Sequence, residues 1–170
     1  MAYLSHHQPD RHQLHSAQHN IHGYSLLQLL ITLAVILILT AIVYPYYRQH
    51  VQQARLHQAQ AALLTNSQYL AKYYQQHISY KKNKNSWPSL PISQNQHFCF
   101  RFQGNPRYSR EEHYTLKAVA LDTETEPRIL KLNQDGRIFL CQSSTSRCNE
   151  EEHFFSGRSQ TDKNCQIFNY

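Results

Sequence analysis

Charged residues are missing from a long stretch near the start of this chain: none lies between Arg11 and Arg48. Glycine is scarce too, with four in 170 residues and none between Tyr24 and Lys84. So few glycines exclude a phosphate-cradling loop, and their absence after Tyr24 leaves a long segment free to be helical. No two cysteines have the C-x₂-C spacing that a zinc site commonly uses. There is no nucleophile motif. The acids Asp122, Glu124, Glu126 and Glu150–Glu152 sit in loop-like stretches with no His pair at helical spacing beside them. No catalytic, cofactor-binding or metal site is therefore expected, and His77, His97, His113 and His153 read as surface or partly buried residues.

What is present is unevenly distributed. Hydrophobic residues make up 41% of the chain, yet the mean hydropathy is −0.65, so the apolar residues are concentrated. They gather in Leu26–Tyr44, where Gln28, Thr32 and Thr40 are the only clearly polar side chains. A helix over that run is roughly 29 Å long, close to the roughly 30 Å core of a bilayer. A removed secretory signal is the competing reading, but its apolar core is shorter, about 7–15 residues, and ends in small residues. Here Tyr44, Pro45, Tyr46 and Tyr47 follow, then Arg48, which suits an aromatic belt at a membrane interface. Residues 1–22 carry Arg11 offset by Asp10, plus six His, so charge does not set the orientation. They read as a polar leader, with metal binding by the His as the alternative.

The four cysteines, Cys99, Cys141, Cys148 and Cys165, all follow the apolar run. An even number confined to one side points to disulfides in an oxidising compartment, and so places the C-terminal part outside the cytoplasm. Four cysteines allow three pairings. The pairing adopted is Cys99–Cys141, bridging two strands, with Cys148–Cys165 closing a loop.

The pattern predicts one helix from Tyr24 to about His77, kinked but not ended by Pro45. Beyond the apolar run, Tyr47, Val51, Ala54, Ala61–Leu64, Tyr69, Leu70 and Tyr73 keep amphipathic spacing. A loop follows over Ile78–Gln96, then strand patterns at His97–Phe102, Tyr114–Leu121, Arg128–Leu132 and Arg137–Cys141. The last two flank Asn133–Gln134–Asp135–Gly136, a hairpin signal. The expected fold is α+β: a long helix whose C-terminal half packs on a three- to four-stranded antiparallel sheet. Residues 142–170 show no periodicity and read as a disulfide-held loop. The net charge is +6. Lys81, Lys82 and Lys84, near Tyr80 and Trp87, are candidate DNA or anion contacts, against the reading of a solvated loop.

His22–Gly23–Tyr24–Ser25–Leu26–Leu27–Gln28–Leu29–Leu30 resembles the prepilin cleavage motif of type IV pilins and type II secretion pseudopilins, usually Gly–Phe–Thr–Leu–Ile–Glu. The placement of Pro45 also matches. Further along, Ser86–Trp87–Pro88–Ser89–Leu90–Pro91, Phe98–Cys99–Phe100–Arg101, Thr115–Asp122 and Glu126–Pro127–Arg128–Ile129–Leu130 are similar to PilX-type minor pilins, and so are the cysteine positions.

The resemblance implies a leader at 1–23, cleaved between Gly23 and Tyr24 by a membrane prepilin peptidase, with N-methylation of Tyr24. Residues 24–52 would form the membrane and assembly half of the helix, and 53–170 a globular head. The precursor would sit in the inner membrane, head in the periplasm, and then join other pilin subunits in an extracellular filament through the assembly machinery. Lipid and a helix bundle are both apolar, so the transfer can be nearly balanced. The implied role is aggregation and adhesion, through pili of neighbouring cells or a host surface. A type II secretion pseudopilin and a DNA-binding competence pilin are the alternatives. Gln28 departs from the family's glutamate: an amide supplies no countercharge for a neighbour's terminal amine, whose uncompensated burial costs several kcal/mol. Gln28 should therefore weaken packing beneath another subunit, or favour a position at a filament tip. Cleavage predicts a mature form lacking the first 23 residues, read by intact mass; a full-length mature chain would exclude it.

Overall fold

A computed structural model describes residues 25–158 and 160–168. The expected leader, with Gly23 and Tyr24, lies outside the described residues. The chain divides into two units, Met1–Val43 and Tyr44–Tyr170.

Helix α1 spans Leu26–His77, 52 residues, and runs through Pro45. Every residue from Ser25 to His50, Gln28 included, is exposed. The segment is long and apolar enough to cross a membrane. Its two threonines conceal their hydroxyls within the helix: Thr32 Oγ1 donates to Leu29 O and Thr40 Oγ1 to Leu37 O, each at 2.9 Å. Neither therefore offers an unmet donor to an apolar surrounding.

In the second unit, α1 buries one stripe. Leu56, Ala59, Leu63, Asn66 and Leu70 are fully buried, at the three- and four-residue spacings of a single helix face. The sheet they cover contains β1 (Phe98–Gln103), β2 (Thr115–Ala120), β3 (Ile129–Asn133), β4 (Ile138–Ser144), β5 (Phe154–Phe155) and β6 (Asp162–Ile167). Its order is β5-β1-β2-β3-β4-β6, antiparallel except where β5 runs parallel to β1. Strand alternation sends Phe98, Phe100, Phe102, Leu116, Ala118, Leu130, Leu132 and Ile138 into the cluster with the helix stripe. The hairpin signal holds: Gly136, at φ 76°, donates its N–H to Asn133 O.

The opposite face is covered as well. Cys99, Val119, Ile129 and Cys141 form a second cluster with Phe155, which is fully buried, and Cys148 packs against it. That cover comes from the chain between β4 and β6, through Cys148 and Phe155.

Two expectations are corrected. The sheet has six strands rather than three or four, because residues 142–170 supply the end of β4 and all of β5 and β6. Strand β6 is a polar edge strand, exposed over most of its length, so it shows no apolar alternation; β5 has two residues, too few for any pattern. The disulfides pair Cys99 with Cys148 and Cys141 with Cys165, not Cys99 with Cys141 and Cys148 with Cys165. Cys99 on β1 and Cys141 on β4 are separated by β2 and β3. At about 4.8 Å per strand, that is roughly 14 Å, twice the reach of a disulfide. Cys141 faces Cys165 directly across β4 and β6.

The helix ends on a strained residue. Ile78 takes φ 55° while its N–H donates to Tyr74 O at 2.7 Å. A β-branched residue in the left-handed region costs about 1–2 kcal/mol, and Ile78, 70% exposed, recovers little by burial. Ile78→Gly is therefore expected to raise stability by about 1 kcal/mol, seen as a Tm increase of roughly 4 °C in thermal unfolding of the oxidised chain.

Candidate nucleic-acid interface

Three segments meet beside the end of β1. The first is the loop between α1 and β1, residues 78–97. Buried Asn66 of the helix holds it at both backbone groups of one residue, donating to Ile92 O at 2.8 Å and accepting from Ile92 N at 3.0 Å. Trp87 stacks on Phe102, ring centroids 4.5 Å apart, and donates Nε1 to Gly104 O at 2.9 Å. The turn at its tip closes through Lys82 N and Asn83 N, both donating to Ser86 O.

The second segment is the loop between β1 and β2, residues 104–114. It opens at Gly104, φ 94°, a conformation that L side chains rarely adopt. Asn105 then organises the tip. Its side-chain oxygen accepts Arg107 N at 2.9 Å, and its carbonyl accepts Tyr108 N at 3.1 Å and Ser109 Oγ at 2.9 Å. The two loops are tied by Tyr80 N to Glu111 O at 2.9 Å and by Arg107 Nε to Asn85 Oδ1 at 3.3 Å.

The third segment is the cover over the second sheet face. Gly104 N donates to Phe155 O at 2.8 Å, and a Cβ on Gly157 would lie 3.1 Å from Gly104 Cα, so the two backbones touch. Arg101 fixes this segment by donating to the carbonyls of Cys148, Glu150 and Glu152, with its guanidinium 5.3 Å from the Phe155 ring centroid. Between the three segments lies a groove of about 840 Å³. Trp87, Phe102 and Phe154 give it apolar walls, and Lys82, Arg101 and Glu152 charge.

The charge beside the groove is mostly positive. Lys82, Lys84, Arg107 and Arg110 are exposed, and Lys81 is half-buried. Among the described residues none of the five makes an ion pair. Of the three lysines singled out from the sequence, Lys82 and Lys84 therefore have free ammonium groups at the surface, while Lys81 is partly withdrawn. Tyr80 and Trp87 are not available to stack on a ligand. Tyr80 packs between Tyr74 and Tyr114, at 4.5 and 4.6 Å, and Trp87 is laid on Phe102. What the sequence reading missed is Asn105–Arg110. The signal was there, two arginines around a tyrosine after a Gly–Asn–Pro turn, but its nearness to Lys82 depends on the loop-to-loop bonds.

The acids do not converge. Asp122 accepts bonds within its own turn, from Glu124 N, Thr125 N and Thr125 Oγ1. Glu126 pairs with Arg128 at 2.6 Å.

A buried ion pair sets the cover in place. Lys117, on β2, is fully buried and contacts Asp162 Oδ1 at 2.5 Å and Ser146 Oγ at 2.8 Å. Asp162 also accepts from Ser144 and Gln103 and lies 3.3 Å from Lys131 Nζ. Burial pulls the Lys117 ammonium below its ordinary pKa, against the hydrogen bond and charge of Asp162. Burial pushes the Asp162 carboxyl up, but bonds from Lys117 and Ser144 and the charges of both lysines outweigh it and hold it below the usual carboxylate range.

The chain matches the family model described as type IV minor pilin ComP, DNA uptake sequence receptor, over residues 45–143. Among solved structures it is similar to the minor DNA-uptake pilin ComP of Neisseria subflava, at 35% identity over 67% of this chain and 95% of that one, TM-score 0.56. It is also similar to the type IV pilin ComP of Neisseria meningitidis, at 35% identity over 68% and 99%, TM-score 0.44. The non-core minor pilin PilV of Neisseria meningitidis is 26% identical over 62% and 97%, TM-score 0.40. No curated protein matches the chain.

Asp162→Asn leaves Lys117 charged and buried, and is expected to cost about 3–5 kcal/mol in denaturant unfolding. Lys117→Met leaves Asp162 with Lys131, Ser144 and Gln103, and is expected to cost less than Asp162→Asn because a countercharge remains. A depressed carboxyl stabilises the fold above its unfolded value, about 3.9, and loses that contribution as pH falls through the folded value. The gap between wild type and Asp162→Asn should therefore close on acidification below about pH 4.

Proposed function

We propose that this chain, which belongs to the ComP family of minor type IV pilins, captures DNA at the loops beside β1 and carries that surface on a pilus. The carrying observation is the convergence of Lys82, Lys84, Arg107 and Arg110, exposed and free of ion pairs, on two loops joined by the Arg107–Asn85 bond. Cations held apart on a fixed frame suit a row of phosphates, and releasing the counterions of those phosphates drives binding. The matched family's description as a DNA uptake sequence receptor supports the reading. Lys82 and Lys84 keep the role suggested for them from the sequence. Lys81, half-buried, adds charge from behind.

In this reading α1 anchors the precursor in the inner membrane through Leu26–Tyr44, with the head on the far side. After cleavage between Gly23 and Tyr24 and methylation of Tyr24, it enters a filament of other pilins, with Gln28 favouring a tip position. No feature of the described residues favours aggregation or adhesion over DNA capture.

The test is fluorescence anisotropy of a labelled DNA duplex with the mature chain in detergent, across salt. With four phosphate contacts, affinity should fall about 10²-fold between 50 and 200 mM salt. The pair Lys82→Glu and Lys84→Glu should weaken binding and flatten the slope. Salt-independent or absent binding overturns the proposal.

A further inference from the structure

Phosphate contacts hold a protein on DNA but carry no sequence information; base contacts do. The four cations above are therefore an incomplete reader, and the surface around them offers one side chain of a different kind. Tyr108 is 83% exposed, the most exposed large apolar side chain among the described residues. It stands between Arg107 and Arg110, at the tip of the loop joining β1 and β2.

The tip is rigid by construction. Tyr108 N is held by Asn105 O, Ser109 N by Pro106 O at 3.3 Å, Ser109 Oγ by Asn105 O, and Arg107 N by the Asn105 side chain. Pro106 is buried beneath it. The aromatic ring thus projects from a tip whose backbone is ordered before any ligand arrives, so little freedom is lost on binding. A tyrosine adds an apolar ring that can meet a thymine methyl at a groove edge and a hydroxyl that both donates and accepts. The neighbouring aromatics cannot substitute, since Tyr80 and Trp87 are committed to stacking inside the head. Glu111 and Glu112, exposed just after Arg110, set negative charge on the far side of the tip and limit where a phosphate backbone can run.

We propose that Tyr108 is the residue through which this chain contacts DNA bases, with Arg107 and Arg110 on the phosphates to either side, so that it sets sequence preference rather than overall affinity. The proposal rests on the DNA-binding reading above, and the partner is double-stranded DNA.

The experiment uses the mature chain in detergent micelles. Selection from random-sequence duplexes yields a preferred duplex, and a scrambled duplex of equal composition serves as the reference. Tyr108→Ala should lose about tenfold in affinity for the preferred duplex and leave the scrambled duplex and the salt slope unchanged. Tyr108→Phe, which keeps the ring and removes the hydroxyl, should lose part of the preference and leave the salt slope unchanged. Lys82→Ala should weaken both duplexes alike and reduce the salt slope by about one. Equal loss on both duplexes, or no loss on either, overturns the role of Tyr108 and leaves the DNA-binding reading standing. A wild-type chain that binds no duplex overturns the reading itself, and this proposal with it. Wild type with salt-dependent binding but no preferred sequence overturns this proposal alone. Thermal unfolding of each variant separates these losses from misfolding, since the 83%-exposed ring of Tyr108 contributes little to the core.

Discussion

The head depends on one constraint: a sheet whose two faces are both apolar must be covered twice. The face carrying Phe98, Phe100 and Phe102 is covered by the Leu56, Leu63 and Leu70 stripe of α1. At about 25 cal/mol per Å² of apolar surface, each fully buried leucine or phenylalanine contributes roughly 1.5–3 kcal/mol. Removing the helix would expose the whole layer. The second face, with Val119 and Ile129, is covered by Phe155 and the segment around it. That cover has a small apolar footprint, so it is fastened by other means: Cys99–Cys148, Cys141–Cys165, the Arg101 bonds to three carbonyls, and the Lys117–Asp162 pair.

The buried pair is an expensive fastening. Desolvation opposes both charges, and an apolar replacement of the pair would be as stable or more so. Its effect is directional: Lys117 is satisfied only when Asp162 arrives in place, so a misplaced cover leaves a buried ammonium without a countercharge. The same cover supplies Phe154 and Glu152 to the groove and meets Gly104 at the root of the tip that bears Tyr108. Fold and candidate interface therefore share their supports. Damage to the cover should be felt at the two basic loops, although no residue of the buried pair reaches them.

The N-terminal segment follows a different logic. Its side chains are apolar on every side, it carries no charge from Leu26 to Tyr47, and its threonine hydroxyls are bonded inside the helix. Such a helix suits surroundings that offer no hydrogen bonds, whether lipid or the flanks of similar helices. A minor pilin needs both in turn.

Periodicity and composition determined the long helix, its passage through Pro45, four of the six strands and the Asn133–Gly136 hairpin, and short motifs carried the resemblance to pilins, because each is written in neighbouring residues. Lys82 and Lys84 were legible for the same reason, as charges in a loop. The tertiary structure alone decided the disulfide partners, since strand order and not chain order sets which cysteines come within reach. It also decided that residues 142–170 finish a sheet and cover its second face: an edge strand can be polar, and Phe155 is buried by a surface assembled from four other segments. The interface belongs to the same class. Asn85 and Arg107 lie 22 positions apart in sequence; the arginines around Tyr108 are a local pattern, but no local pattern foretells that folding brings that loop beside the lysine loop.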